Sequence, residues 1–192
     1  TFTNTSSLVL TVSDSSITAA DLVSLDSSTT GAITVSNMTS ITGSISDANS
    51  VFDSSGITGD DGNEAVTLTD TTASDASALV TLNGNTTGNI NANSISTIIG
   101  SISDVKSIYQ NKSDSGNGFS NLGNEAITIN DTGSVAAADL TTVGNGSTGT
   151  VTASSVSTIT GTAVAVIAAY ADIDAGLGNE AITINSGSVT VA

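Results

Sequence analysis

The apolar positions of this chain change their period regularly, from every second residue to every third or fourth. Residues 62–68 read Gly-Asn-Glu-Ala-Val-Thr-Leu, which alternates apolar and polar side chains after a Gly-Asn turn. Close copies occupy residues 123–129 and 178–184, so the three copies begin 61 and 55 residues apart. Gly and Asn tolerate positive φ, and strict alternation is typical of a strand with one buried face. Each copy therefore predicts a turn that leads into a half-buried strand.

Offset segments of the same kind raise the number of predicted strands to seven. These strands begin near Leu10, Ile33, Val66, Ile90, Ile127, Val151 and Ile182. A strand that returns at regular intervals indicates a repeat solenoid, in which about seven strands stack as one parallel β-ladder. We expect a single solenoid over residues 1–192. Its repeat units are residues 1–61, 62–122 and 123–177, with a partial unit at 178–192.

Between the strands the apolar spacing becomes helical. Ala19, Leu22 and Leu25 lie three residues apart, and the same spacing recurs from residue 76 and from residue 137. The longer connections repeat it from residues 45 and 102. These spacings predict short helices or helical turns, and the almost wholly apolar run from Ala163 to Tyr170 predicts the most buried helix. The alternative is an all-β parallel β-helix, because the abundant Ser, Thr, Val and Ile favour strands.

Composition narrows the possible functions. The chain of 192 residues has 31 Thr and 32 Ser and no Cys, His, Arg, Trp or Pro, and its formal net charge is −16. Such an acidic surface excludes nucleic acid and anionic membranes as partners, and salt or divalent cations would relieve its self-repulsion. No apolar run reaches the roughly 18 residues of a membrane span, so we expect no membrane insertion. These features favour an extracellular or cell-surface location.

The repeated phrase also carries a family resemblance. Residues 62–71 and 123–132 closely follow the pattern Gly-Asn-Glu-Ala-Val-Thr-Leu-x-Asp-Thr, and residues 178–185 follow it until Ser186 replaces the Asp. In this the chain resembles the repeats of very large secreted or cell-surface proteins of marine cyanobacteria and related bacteria. The resemblance implies structural or adhesive work outside the cell, with divalent-cation binding, and it implies no catalytic residues.

Acidic side chains supply the candidate sites. Asp60, Asp61 and Glu64 form an oxygen-rich turn of the kind that hard cations such as Ca²⁺ select, so they are the candidate metal ligands. A solvated turn that leads into a strand is the structural alternative. The sequence predicts no enzyme, because the repeated acids have no basic or aromatic companion nearby. Asp14, Asp70 and Asp131 follow strands, where helix capping or an Asx turn explains them.

The two ends of the chain lead to the functional hypothesis. The sequence does not start with Met, which indicates a mature or excised chain. Strand-forming segments lie near both ends, at residues 8–12 and 188–191, and no polar cap covers them. Open ends predict head-to-tail self-association. We therefore expect a structural building block of an extracellular filament or surface layer. The alternative is a segment of a large cell-surface adhesin, stabilised by calcium, that binds glycans or surfaces.

Overall fold

A computed structural model describes residues 7–113 and 116–185 of the chain. The described part divides into two compact units. Of the described residues, the first unit draws on segments 7–71, 78–94, 111–113 and 116–121, and the second draws on segments 72–77, 95–110 and 122–185.

Short strands and short helices alternate along the described residues. The strands are β1 (Leu10–Thr11), β2 (Ser16–Thr18), β3 (Ile33–Thr34), β4 (Ser40–Gly43), β5 (Ile57–Thr58), β6 (Ala65–Leu68), β7 (Thr72–Ala73), β8 (Asn89–Asn91), β9 (Thr97–Gly100), β10 (Gly118–Ser120), β11 (Ala126–Ile129), β12 (Ser134–Ala136), β13 (Val151–Thr152), β14 (Thr158–Gly161) and β15 (Ala181–Ile184). The helices are α1 (Ala19–Ser28), α2 (Ile45–Asp53), α3 (Ala76–Asn85), α4 (Ile102–Gln110), α5 (Ala137–Gly144) and α6 (Ala163–Asp172).

The first unit contains two parallel sheets. The smaller sheet has the strand order β1-β3-β5, and the larger has the order β10-β8-β6-β4-β2. In the larger sheet Val66 lies between Ile41 and Ile90 in register, and all three side chains are buried. Aliphatic side chains of neighbouring strands are thus stacked in rows, which suits a chain with few aromatic residues.

The second unit repeats this plan with two further parallel sheets. Their strand orders are β13-β11-β9-β7 and β12-β14-β15. Ile127 lies between Ile98 and Val151 in register, and all three are buried. A strand, a helix and a further strand follow one another along the chain, so the architecture is α/β with connections between parallel strands.

The predicted fold class is therefore wrong. The described residues form four separate parallel sheets with six helices, and they do not form a single solenoid with one ladder of about seven strands. Three predicted neighbours do pair, as Leu10 with Ile33, Val66 with Ile90, and Ile127 with Val151. The others do not, because strands that the alternation did not reveal occupy the adjacent positions. Ile33, for example, pairs with Ile57 and not with Val66.

All six predicted helical segments are helices, so the all-β parallel β-helix is also wrong. A hydroxyl at the N-cap stabilises the start of several helices: the side chain of Thr18 accepts a hydrogen bond from the Asp21 N–H, and that of Ser44 accepts one from the Asp47 N–H. The apolar positions that predicted α1 point inward, since Ala19 and Leu22 are fully buried.

The burial predicted for α6 is not observed. Val164 is 78% exposed and Ile167 is 71% exposed, whereas Val166 and Ala169 are buried. The helix packs against α5 on one side, and the described residues provide no helix for the opposite side. α6 is therefore apolar all round but covered on one face only.

Candidate functional site: the Gly-Asn-Glu turns

Each copy of Gly-Asn-Glu lies directly before a strand, ahead of β6, β11 and β15. The glycine has positive φ in all three copies, at 65° for Gly62, 132° for Gly123 and 139° for Gly178. A side chain is disfavoured in this region of φ, which explains why the turn begins with glycine. The prediction of a turn leading into a strand is confirmed for every copy.

In the second copy, the glutamate folds back onto its own turn. Glu125 is fully buried, and its two carboxylate oxygens, Oε1 and Oε2, lie 2.9 and 2.8 Å from the Gly123 nitrogen, whose N–H donates to them. The Tyr109 hydroxyl donates a third hydrogen bond to Oε2 at 2.7 Å. A buried carboxylate is tolerated only when such donors replace water. Glu125 therefore links its turn to the end of α4.

In the first copy, different groups donate hydrogen bonds to the buried glutamate carboxylate. Phe52 occupies the place of Tyr109 and has no hydroxyl to donate. The Glu64 carboxylate instead accepts from the backbone N–H groups of Asp61, at 2.8 Å, and Asn63, at 3.0 Å. Its side chain is only 1% exposed. The buried glutamates of the first two copies are thus held by different donors: two backbone N–H groups bind Glu64, and one backbone N–H and a tyrosine hydroxyl bind Glu125.

The third copy has the same contacts in a more exposed setting. The Gly178 N–H donates to both carboxylate oxygens of Glu180, at 3.1 and 2.8 Å, and the Tyr170 hydroxyl donates to Oε2 at 2.8 Å. Burial acts to raise the pKa of Glu180, but the hydrogen bonds from Gly178 and the other turn amides outweigh it and lower the pKa.

In the first two copies the backbone carbonyl of the glutamate also accepts a hydrogen bond from a hydroxyl. In the first copy the Thr86 hydroxyl donates to the Glu64 carbonyl at 2.7 Å, and the Gly88 N–H donates to the Thr86 hydroxyl oxygen at 2.9 Å. We call this Ser/Thr-Thr-Gly arrangement the carbonyl clamp. Three carbonyl clamps are described: residues 29–31 on Leu8, residues 86–88 on Glu64 and residues 147–149 on Glu125.

The glycine of the clamp allows a very close approach of two backbones. A Cβ atom on Gly88 would lie 2.2 Å from the Glu64 carbonyl oxygen, and one on Gly149 would lie 2.3 Å from that of Glu125. The corresponding distance from Gly31 to Leu8 is 2.4 Å. No side chain fits at these separations, so each clamp requires glycine at its third position.

The predicted calcium ligands lie around the first turn. The Glu64 carboxylate accepts from two backbone N–H groups, as described above. Burial raises the pKa of Asp60, and the charges of Glu64 and Asp61 raise it further. Within residues 7–113 and 116–185, no group of three acidic side chains is arranged to hold a metal ion. Calcium binding by Asp60, Asp61 and Glu64 therefore stays a prediction.

Helix capping was predicted for all three aspartates that follow strands, at the helix that comes next, and two of them do cap a helix. The Asp70 carboxylate accepts from the Ile45 N–H at 2.8 Å, and the Asp131 carboxylate accepts from the Ile102 N–H at 2.6 Å. Both cap the helix that precedes their strand, and not the helix that follows. Asp14 is exposed in the connection between β1 and β2.

The sequence reasoning missed the carbonyl clamps and the tyrosine–glutamate pairs. A signal was present, because Thr-Thr-Gly at residues 29 and 86 and Ser-Thr-Gly at residue 147 recur almost as regularly as Gly-Asn-Glu. It also missed the ion pair between Lys106 on α4 and Asp139 on α5, which are 2.8 Å apart. All these contacts join residues well separated in sequence.

No family model, characterised protein or solved structure matches this chain. Among the helices that the structure describes, none has the length and hydropathy needed to cross a membrane. The function is therefore inferred from the chain's own residues.

The Tyr109–Glu125 pair predicts a loss of stability at high pH. Burial raises the pKa of Tyr109, and the hydrogen bond to Glu125 and its negative charge raise it further. Since the unfolded chain loses this proton near pH 10, the contribution of Tyr109 is intact below about pH 10 and declines above it. We expect the free energy of unfolding of the native chain to fall more steeply between pH 9.5 and 11.5 than that of Tyr109→Phe, as measured by urea denaturation. Burial, the hydrogen bond to Glu180 and its charge raise the pKa of Tyr170 as well, but that pair is exposed, so Tyr170→Phe should change the slope less than Tyr109→Phe does. Equal slopes for the native chain and Tyr109→Phe would contradict the assignment.

Proposed function

We propose that this chain is a structural building block of an extracellular filament or surface layer, and that it associates head-to-tail with copies of itself. One observation carries the proposal. In residues 7–113 and 116–185, the large apolar side chains that are exposed lie in two places only: at Leu8 and Val9 before β1 in the first unit, and on α6 and β15 in the second. Exposed apolar patches of this kind are typical of interaction surfaces.

The role of the repeated acids also favours structural work. Glu64 and Glu125 are buried and hydrogen-bonded to their own turns, and Asp70 and Asp131 cap helices. Catalysis by these groups would require them to be free to exchange protons with a substrate. The carboxylates that recur in the sequence are therefore assigned to folding, and the proposal includes no catalytic residue.

The charge of the chain sets the conditions for association. A net charge of −16 with only two cationic side chains makes copies repel one another over distances of about 10 Å at 0.1 M salt. Apolar contact must overcome this repulsion, so assembly should increase with ionic strength. This dependence suits a saline extracellular setting.

Electron microscopy of the purified chain tests the proposal. At high protein concentration in about 0.5 M salt, where the Debye length is short, we expect filaments or ordered layers with a constant repeat. Dispersed particles under the same conditions would contradict the proposal. If such particles bound glycans or surfaces, the result would favour the adhesin alternative.

A further inference from the structure

The carbonyl clamps define a repeated way of joining one segment to the next. At each clamp, the residue whose carbonyl is held leads into a strand, and that strand pairs in parallel with the strand that follows the clamp. Glu64 leads into β6, which pairs with β8; Glu125 leads into β11, which pairs with β13; and Leu8 leads into β1, which pairs with β3. The register is the same each time, since Val66 lies opposite Ile90 and Leu10 lies opposite Ile33.

The chain has one more segment of this kind than it has described clamps. Glu180 leads into β15 just as Glu64 leads into β6, but in the described residues β15 pairs only with β14. Its inward-facing positions are incompletely covered. Ile182 is 41% exposed, whereas the equivalent Val66 and Ile127 are each 1% exposed. The outer edge of β15 therefore has the features of a strand without its neighbour.

The clamp at residues 29–31, in contrast, binds the carbonyl of a residue that leads into an atypical strand. Leu8 stands where the other clamps hold a glutamate, and the sequence has Ser6-Ser7 before it in place of Gly-Asn. The strand β1 has two residues, and Leu8 and Val9 are 41% and 67% exposed. Because the clamp recognises a backbone carbonyl and the strand pairs through backbone groups, neither contact selects the sequence of β1.

Successive helices also contact each other at equivalent positions. Asn49 of α2 donates a side-chain hydrogen bond to the Ala78 carbonyl of α3, and Lys106 of α4 pairs with Asp139 of α5. Ile167 occupies the position of Asn49 and Lys106 in α6, and it is 71% exposed. A helix of the α3 and α5 type is therefore missing from the exposed face of α6 in the described residues.

α1 belongs to the same type, and no helix that precedes it lies in the described residues. It shares the spacing of Ala19, Leu22 and Leu25 with α3 and α5. Leu25 is only half-buried, whereas the equivalent Leu82 and Val143 are fully buried. The face that α3 and α5 present to the preceding helix is thus partly open in α1.

From these equivalences we propose that β15 of one copy pairs with β3 of a second copy, in the place that β1 holds within a single chain, so that α6 packs against α1 of that second copy. The Glu180 carbonyl then enters the clamp at residues 29–31, and Thr183 lies opposite Thr34. The proposal rests on the self-association proposed above and adds its docking site, its register and its mechanism of strand replacement.

Burial of apolar side chains favours the replacement of β1 by β15 of a second copy. The backbone hydrogen bonds between β1 and β3 are replaced by equivalent bonds between β15 and β3, so they contribute little net change. Ile182, Val164 and Ile167 gain burial that no part of the described chain provides, and buried apolar area favours association. The negative charge of both copies opposes it, which again makes the exchange salt-dependent.

Engineered cysteines test the register directly, because the chain has no cysteine of its own. Paired residues on adjacent strands lie within disulfide distance. Thr34→Cys and Thr183→Cys chains, mixed and oxidised, should form a disulfide-linked dimer at twice the 18.7 kDa chain mass. The control mixture of Thr34→Cys with Ser103→Cys, an exposed position on α4, should stay monomeric on a denaturing gel. Equal amounts of dimer in both mixtures would overturn the proposed register.

A second variant tests strand replacement without depending on crosslinking between chains. Thr11 and Thr34 are paired within one chain, so Thr11→Cys/Thr34→Cys should lock β1 onto β3 when oxidised. We expect loss of assembly in the oxidised form and full recovery after reduction of the same sample, which controls for folding. If the oxidised form assembles as well as the reduced form, strand replacement is wrong although self-association stands. If neither the locked nor the native chain assembles, the proposed function itself fails.

Discussion

Replacement of Gly88 by alanine should destabilise the first unit by about 3 kcal/mol or more. The new Cβ would lie 2.2 Å from the Glu64 carbonyl oxygen and 2.6 Å from that of Asn63. Both are backbone atoms that cannot rotate away, so the clamp must open and Thr86 must lose its acceptor. The free energy of unfolding measured by urea denaturation at 25 °C provides the test.

Gly84 supplies the matched control for this substitution. It lies near the end of α3, four residues before Gly88, and no atom would come within 4 Å of an added Cβ. Gly84→Ala should be neutral or stabilise the chain by up to about 1 kcal/mol, because alanine favours helix. Equal destabilisation by both substitutions would mean that the clamp does not need its glycine.

Removal of the Glu125 side chain should also lower the free energy of unfolding by a large amount. Glu125→Ala leaves the Gly123 N–H and the Tyr109 hydroxyl without their acceptor in a buried site, and we expect a loss of about 3 kcal/mol in the free energy of unfolding. Glu125→Gln should cost less, because its amide oxygen still accepts one of these hydrogen bonds. Urea denaturation of the two variants measures the difference.

Glu180 tests the role of burial in this effect. It makes the same contacts with Gly178 and Tyr170, but solvent reaches its turn. Water can satisfy the groups that Glu180→Ala leaves behind, so the loss should stay below about 1 kcal/mol. Similar losses for Glu125→Ala and Glu180→Ala would show that the buried hydrogen bonds are not what makes Glu125 important.

The local structure followed from the sequence where the local pattern was strong. A Gly-Asn turn before an alternating segment predicted β6, β11 and β15. Apolar spacings of three and four predicted five helices, and the apolar run from Ala163 to Tyr170 predicted the sixth. The same reasoning failed for β4, β9 and β14. These strands are as long as β6, but none of them follows a Gly-Asn turn and each ends in glycine, as in Ser-Ile-Thr-Gly at residues 40–43, so the sequence pattern that marks a strand is weaker there.

The sheet arrangement could not be predicted because some of the strands were not recognised from the sequence. A ladder drawn through the recognised strands places Ile33 beside Val66, but β4 and β5 lie between them in the sequence and supply the true partners, since Val66 pairs with Ile41 and Ile33 pairs with Ile57. One missed strand in a repeat changes every later pairing. The number of sheets therefore depended on elements that the periodicity did not show.

The candidate site was predicted only in part. Positive φ at Gly62 is local and was expected, whereas Asp70 caps α2, 25 residues earlier in the chain, and not the helix that follows. The clamp between Thr86 and the Glu64 carbonyl joins residues 22 positions apart, and nothing in a hydroxyl or a backbone carbonyl marks it for such a contact. The burial of α6 was overestimated because apolar composition does not reveal whether a neighbouring element is present to cover it.

Sedimentation velocity of the native chain over a wide concentration range tests the self-association most directly. We predict a sedimentation coefficient that rises with concentration and with salt, as copies of the 18.7 kDa chain add to one another. A single species of monomer mass at every concentration and salt level would contradict the account.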